Sequence, residues 1–239
     1  MHNIIKDHKD FLVINKHPGE SFHKDNKSSG LTGVLKSEQC IKELYTVHRL
    51  DAMTSGILIF AKNSKSAREL SRQFQNKLVE KYYLAISDRR PKKKQGLIKG
   101  DMERTRRGGW KLTRTVKNPA ITQFFSCSLE EGLRLFIVKP HTGKTHQIRV
   151  AMKSIGAPVL GDPLYHKKED REPDRGYLHS YGVRFYLKEK LYEFVHIPDR
   201  GQHFKSEKFL CRIKNYEKPW ELKWPSVQEV PLLMLAYPC

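Results

Sequence analysis

The chain has 239 residues, and its 45 Lys and Arg against 26 Asp and Glu give a formal net charge of +19. With 38% hydrophobic and 10% aromatic residues it is long and apolar enough to bury a core, which excludes a fully disordered chain. No apolar run approaches the roughly 18–20 residues that cross a bilayer, residues 1–7 are not a charged flank feeding an apolar core, and Cys40, Cys127, Cys211 and Cys239 stand far apart with no CxxC pair; the expectation is a cytoplasmic protein with reduced thiols, neither membrane-bound nor secreted. In chain order, the short apolar run at residues 11–16, closed by His17-Pro18-Gly19, predicts a strand ending in a turn. Residues 57–61 predict a second strand. Asn63 or Ser64 then caps a helix to about residue 76, with Ala67, Leu70 and Phe74 at helical spacing. Residues 79–87 return to strand. Residues 121–129 and 133–138, separated by Glu130-Glu131-Gly132, predict an antiparallel hairpin. Thr142 is the expected cap of a helix over residues 144–155, ended by Gly156 and Pro158. A late strand is expected over 192–197. Strands with interspersed helices and no βαβ period predict an α+β fold, with a mixed, mainly antiparallel sheet and flanking helices. The last 25 or so residues shift in composition and read as an irregular tail, residues 215–239, after a domain spanning 1–214.

Charge is concentrated in one place. Between residues 89 and 117 twelve Lys and Arg face only Asp101 and Glu103, so about half of the net excess lies there. The five Gly and Pro residues of this stretch predict loops around one short strand rather than a basic amphipathic helix, which favours nucleic acid over a membrane surface as partner.

Chemistry-bearing motifs are few. The sequence contains no GxxxxGK[ST] loop and no GxGxxG after a strand, so the usual nucleotide-cofactor entry points are missing. His141 and His146 lack a third nearby ligand and HExxH spacing, and no metal site is expected. His48-Arg49-Leu50-Asp51, followed by Thr54-Ser55-Gly56, sets a carboxylate beside a cation that favours its ionised form. An ionised Asp suits a nucleophile or base, yet the same residues also suit a structural salt bridge beside a strand.

Four ordered motifs go further. HRLDAMTSG at 48–56, KYYLA at 81–85, TGKTHQIRV at 142–150 and GDPLY at 161–165 resemble the RluA-type pseudouridine synthases, and FLVINKHPG at 11–19 resembles the segment that opens their catalytic domain. The resemblance covers roughly residues 4–200. It implies the pseudouridine synthase catalytic fold and an isomerase that breaks the N1 glycosidic bond of uridine in RNA, turns the base and rejoins it through C5, with no cofactor and no metal. Many relatives carry a small S4 RNA-binding domain ahead of the catalytic one. Here the catalytic opening lies within the first dozen residues, so a stand-alone catalytic domain is expected, monomeric as is usual in the family, and acting on structured tRNA or rRNA.

The resemblance also distributes roles. Asp51 matches the catalytic aspartate, placed to stabilise positive character on the sugar or to capture it covalently. Tyr83 matches the active-site tyrosine that stacks on the base and is a candidate for proton removal; Tyr82 is its rival, because consecutive strand residues face opposite ways. Arg149 matches the arginine that pairs with the aspartate. Arg49 matches the arginine that fills the space of the flipped uridine, whose extraction costs a few kcal/mol. For RNA contact the expectation extends to His48, which also shapes the loop, to Lys144, where relatives carry arginine, and to Arg104, Arg106 and Arg107 of the basic stretch. The rival from another class is a non-catalytic RNA-binding or RNA-folding protein that keeps the fold.

Overall fold

The computed structural model describes residues 3–20, 30–106, 108–130, 132–166 and 172–226. The described elements run β1 (Asn3–Asp7), β2 (Phe11–Lys16), α1 (Gly30–Glu38), β3 (Tyr45–Thr46), β4 (Ser55–Ala61), α2 (Ser64–Gln75), β5 (Glu80–Ser87), β6 (Gln95–Gly100), β7 (Met102–Arg104), β8 (Trp110–Leu112), β9 (Ala120–Ser128), β10 (Arg134–Pro140), α3 (Gln147–Ser154), β11 (Leu178–Leu187), β12 (Lys190–Val195) and α4 (Glu207–Ile213). The chain forms two compact units. One is built from residues up to Lys81 together with His179–Pro198, the other from Tyr82–Leu178 together with residues from Asp199 on.

In the first unit β1, β2 and β4 pair antiparallel, β11 runs parallel to β4, and β12 turns back on β11. The sheet is therefore mixed and mainly antiparallel, as the sequence predicts. Phe11, Val13, Ile57, Ile59 and Ala61 from β2 and β4 meet Val183, Phe185 and Leu187 from β11 and Leu70 from α2 in one core. Each Val, Leu, Ile or Phe side chain so removed from water contributes about 1.5–3 kcal/mol. Asn63 caps α2, its side chain accepting the Ser66 N–H at 2.9 Å, and Ala67 and Phe74 lie against the core beside Leu70. The periodicity of that helix is thus the periodicity of its packing.

In the second unit β5, β10, β9 and β6 pair antiparallel in that order, while β7 and β8 form a separate two-stranded hairpin. The basic stretch predicted to hold one short strand holds three. The predicted helix over 144–155 begins only at Gln147, and its N-cap is His146 in the left-handed conformation (φ 57°), not Thr142. The reason is that the Thr142 hydroxyl is engaged elsewhere: it accepts the Ile121 N–H and donates to the Gln147 side chain. Gly156, at φ 77°, closes the helix end as expected. After β12 the chain returns through α4 and short 3-10 turns, burying Phe204, Phe209 and Ile213. Among the described residues no helix is long and apolar enough to cross a membrane.

Candidate active site

Asp51 sits in a turn whose backbone is anchored at two successive carbonyls. The Thr54 N–H donates to the Asp51 carbonyl at 3.0 Å, and the next carbonyl, of Ala52, accepts from the Gly19 N–H at 2.8 Å and from Lys16 Nζ at 3.1 Å. Lys16 is fully buried, and its ammonium also donates to the His17 carbonyl at 2.8 Å. A lysine enclosed in this way is held by its hydrogen bonds; the two carbonyls it joins fix the turn after β2 to the turn that carries Asp51. The turn leads directly into β4. Ser55 and Gly56 pair with His179 and Ser180 of β11, and a Cβ at Gly56 (φ 104°) would lie 2.3 Å from the Ser180 carbonyl oxygen, so only glycine fits there. The Ser55 hydroxyl is 2.7 Å from His179 Nδ1.

His48 and Arg49 precede the turn and face differently. The His48 ring stacks on Phe74, centroids 4.5 Å apart, and its Nε2 accepts the Ile59 N–H at 2.9 Å. Burial, helped by the nearby Lys81 ammonium, pushes its pKa down to about 3. A neutral imidazole with one nitrogen committed to a backbone donor and its face on Phe74 shapes the loop ahead of the Asp51 turn. Lys81 itself is pushed down to about 8 by burial. Arg49 is exposed.

In the second unit Arg149 lies on α3 and is buried, 4% exposed. Its guanidinium grips Asp162 at both ends, Nε to Oδ2 at 2.7 Å and Nη2 to Oδ1 at 2.9 Å, the fork geometry that matches a carboxylate. Asp162 Oδ1 also accepts the N–H groups of Leu164 and Tyr165. The GDPLY segment thus wraps a buried anion that fixes the arginine. Ahead of α3, the Gln147 side chain makes four hydrogen bonds: its oxygen accepts from Thr142 Oγ1 and the Lys144 N–H, and its nitrogen donates to the Ile121 carbonyl and Thr122 Oγ1. Every polar capacity of that amide is used, which holds the TGKTHQ loop rigidly to β9.

The strand alternation of β5 separates its two tyrosines. Tyr82 is fully buried among Trp220 and Trp224, with Lys139 Nζ 5.2 Å from its ring. Tyr83, opposite Val138 in the ladder, points to the other face and is half-buried. The tail reaches further into the unit. Trp224 packs on Phe125, and the Gln123 side chain donates to the Pro225 carbonyl while its oxygen lies 2.5 Å from His141 Nε2.

Basic residues of the stretch line the β7–β8 hairpin. The Arg104 guanidinium lies 5.9 Å over the Trp110 ring, Lys111 pairs with Glu103 at 3.3 Å, and Arg106 is exposed in the turn. Arg107 lies outside the described residues. Lys144 is half-buried and its charge acts on Asp101, whose carboxyl is held below its ordinary value chiefly by the Thr115 hydroxyl and also by the Lys117 and Asn118 N–H groups. Sequence reasoning missed Asp162, Lys16 and His179. The first stood inside a quoted motif, the second at the end of an apolar strand where a charge has no packing reason to be, and His179 carried no signal. Among the described residues no group of three or more His, Cys, Asp or Glu is placed to hold a metal ion.

Comparison with known proteins gives these motifs a common origin. Residues 10–154 match the family model described as RNA pseudouridylate synthase. A Haemophilus influenzae protein named as an uncharacterized RNA pseudouridine synthase is 50% identical over 199 residues, covering 83% of this chain and 88% of that one. The ribosomal large subunit pseudouridine synthase C of Rickettsia typhi is 37% identical over 149 residues, 61% of this chain and 49% of that one. Among solved structures, human RNA pseudouridylate synthase domain containing 1 superposes with a TM-score of 0.71 at 28% identity, covering 83% of this chain and 84% of that one. With its family model spanning more than half the chain, and a half-identical relative matched almost end to end, this protein belongs to the RNA pseudouridine synthase family, isomerases that convert uridine to pseudouridine.

Proposed function

We propose that the chain isomerises uridine in structured RNA, tRNA or ribosomal RNA, by an aspartate-dependent mechanism that uses neither cofactor nor metal. The observation that carries this reading is the Asp51 turn: the Thr54 N–H bonds the Asp51 carbonyl and Lys16 and Gly19 bond that of Ala52, so the backbone that carries the aspartate is anchored, as suits a group acting at a single carbon. Asp51 stabilises the positive character that develops at C1′ as the N1–C1′ bond breaks, by charge or by covalent capture. The base turns, C5 bonds to C1′, the C5 proton leaves and N1 takes a proton. Tyr83, on the half-buried face of β5, stacks on the base and takes the C5 proton. Arg149, already oriented by Asp162, is assigned the role of the motif arginine that partners the catalytic aspartate. Arg49, exposed beside the turn, fills the space of the flipped uridine. The basic hairpin, with Arg104, Arg106 and Lys111, and Lys144 at its base contact phosphates, which binds RNA shape with little sequence readout. The Rickettsia relative named for the ribosomal large subunit supports ribosomal RNA as one substrate class. A monomeric protein in the cytoplasm completes the reading.

The test is pseudouridine mapping. Purified protein, with chelator present, is incubated with unmodified tRNA and large-subunit rRNA transcripts. Isomerised uridine is expected with wild-type protein, and none with Asp51→Asn, which retains RNA binding. A protein inactive on every transcript, an active Asp51→Asn variant, or activity only with added metal counts against the reading.

A further inference from the structure

Tyr165 ends the GDPLY segment, and the reaction outlined above gives it no part. It is nevertheless the point where three separate pieces of the second unit meet. Its backbone N–H donates to Asp162 Oδ1 at 3.1 Å, on the carboxylate that grips Arg149. Its ring, 6% exposed, lies 5.1 Å from the Arg149 guanidinium carbon and 5.5 Å from Lys153 Nζ. Its hydroxyl accepts the Trp110 N–H at 2.8 Å and lies 2.9 Å from His146 Nδ1. Each hydrogen is used once if the hydroxyl donates to Nδ1 and His146 keeps its proton on Nε2. The ring of His146 crosses that of Tyr165 edge-on, 5.7 Å between centroids.

Trp110 opens β8, so the hydroxyl holds the backbone of the basic hairpin where its turn closes. Among the described residues the turn itself carries Thr105 N–H to the Gly109 carbonyl and Gly108 N–H to the Thr105 carbonyl, beside a three-residue ladder between β7 and β8 that the Arg104–Trp110 and Lys111–Glu103 contacts span and that Asp101, Thr113 and Thr115 extend at the far end. A two-stranded ribbon of this length is marginal in water by itself. Something outside it must set its position. Gly109 is buried against the same ring, where a Cβ would come within 3.5 Å of Tyr165 Cε1 and of its hydroxyl.

We propose that Tyr165 is a positioning residue whose hydroxyl latches the basic β7–β8 hairpin to the Arg149 helix, so that the hairpin presents its cations to RNA in one fixed register with that helix. This rests on the reading of the hairpin as the RNA grip. The latch acts on substrate engagement. It touches neither the scissile bond nor the base.

Tyr165→Phe keeps the buried ring and its contacts with Arg149 and Lys153 while removing the hydroxyl. Three readouts separate the possibilities. Amide hydrogen exchange of the free protein is expected to quicken about fivefold or more across residues 102–112, the scale of one lost hydrogen bond, while β9 and β10 stay as in wild type and report an intact fold. Binding to unmodified tRNA and large-subunit rRNA transcripts is expected to weaken by a similar factor. The single-turnover rate at saturating RNA is expected to stay within about twofold of wild type. Unchanged hairpin exchange overturns the latch. So does a slowed saturated rate with unchanged binding, which moves the hydroxyl into the chemistry. The triple variant Arg104→Gln, Arg106→Gln, Lys111→Gln judges the grip on its own: if RNA affinity and its salt dependence stay at wild-type values, the grip reading fails, and hairpin exchange in Tyr165→Phe still decides the latch.

Discussion

The Ser55 hydroxyl donates to Nδ1 of His179 across the parallel β4–β11 pair, 2.7 Å apart and both buried. His179 Nε2 lies 2.9 Å from the His196 carbonyl oxygen, which only accepts, so the ring proton is on Nε2 and Nδ1 is the acceptor. The tautomer is thereby set by the fold, and the serine of the TSG motif has a partner that anchors the strand leaving the Asp51 turn. Ser55→Ala leaves a buried ring nitrogen unpaired and is expected to lower stability by about 1–3 kcal/mol, read from urea unfolding. A variant as stable as wild type means the dyad contributes nothing to holding the turn.

The two tyrosines of β5 make opposite predictions. Tyr83→Phe is expected to slow turnover about 100-fold or more, the scale of a lost general base, with the fold unaffected. Tyr82→Phe is expected to leave turnover near wild type, because its ring packs on Trp220 and Trp224. Tyr82→Ala empties a buried aromatic site and is expected to cost about 3–5 kcal/mol of stability. Parallel turnover assays and unfolding curves check all three, and a Tyr82→Phe variant slower than Tyr83→Phe means the assignment is on the wrong face.

Arg149 and Asp162 are a buried pair, 5% and 0% exposed at their side chains. Asp162→Asn removes the anion from a buried arginine and is expected to destabilise by about 3–5 kcal/mol. Arg149→Lys keeps a charge but loses the fork that meets both carboxylate oxygens, and its stability is expected to fall between Asp162→Asn and wild type. Denaturant midpoints with unchanged m-values are the measurement; equal midpoints for wild type and Asp162→Asn contradict the pairing.

Acid acts through His48. Its folded pKa, about 3, lies below the 6.5 of an ordinary histidine. As pH falls below about 6.5 the unfolded chain takes up a proton that the folded chain refuses, so the stability present above 6.5 is lost progressively toward pH 3. His48→Phe keeps a ring against Phe74 but has nothing to protonate. It is expected to be less stable than wild type at pH 7.5, where the Ile59 N–H has lost its acceptor, and to lose less on acidification, by up to about 1.4 kcal/mol per pH unit. Unfolding free energies at pH 7.5, 6 and 5 give the comparison, and parallel profiles rule His48 out as the source.

What was legible in the sequence was whatever followed from regular burial. The α2 helix shows its apolar stripe, cap and end because one face packs on a core and the other is wet. The β2 and β4 runs read as strands because both are buried throughout, so apolar residues fill them. β11 is not legible although it pairs in the same unit: after Leu178 come the buried polar residues His179, held by Ser55, and Ser180, paired with Gly56, and they interrupt the apolar pattern. The hairpin strands β7 and β8 are hidden for a different reason, since strands of three residues, Met-Glu-Arg and Trp-Lys-Leu, are too short to show a period and are held from outside by Tyr165. The start of α3 was misplaced because a threonine that looks like a cap spends its hydroxyl on Gln147. For the candidate site, the motifs supply Asp51, Tyr83 and Arg149 as candidates. The groups that hold the Asp51 turn and Arg149, namely Lys16, His179 and Asp162, are visible only once the strands are paired.

The distribution of the three tryptophans gives the protein two optical reporters in different places. Trp220 and Trp224 are part of the aromatic packing around Tyr82 and Phe125, whereas Trp110 is half-buried in the basic hairpin beneath the Arg104 guanidinium. With the two tail indoles exchanged for phenylalanine, the remaining tryptophan emission belongs to the hairpin alone. Titrating such a protein with RNA reads the arrival of a polyanion at that cation directly, with no external dye.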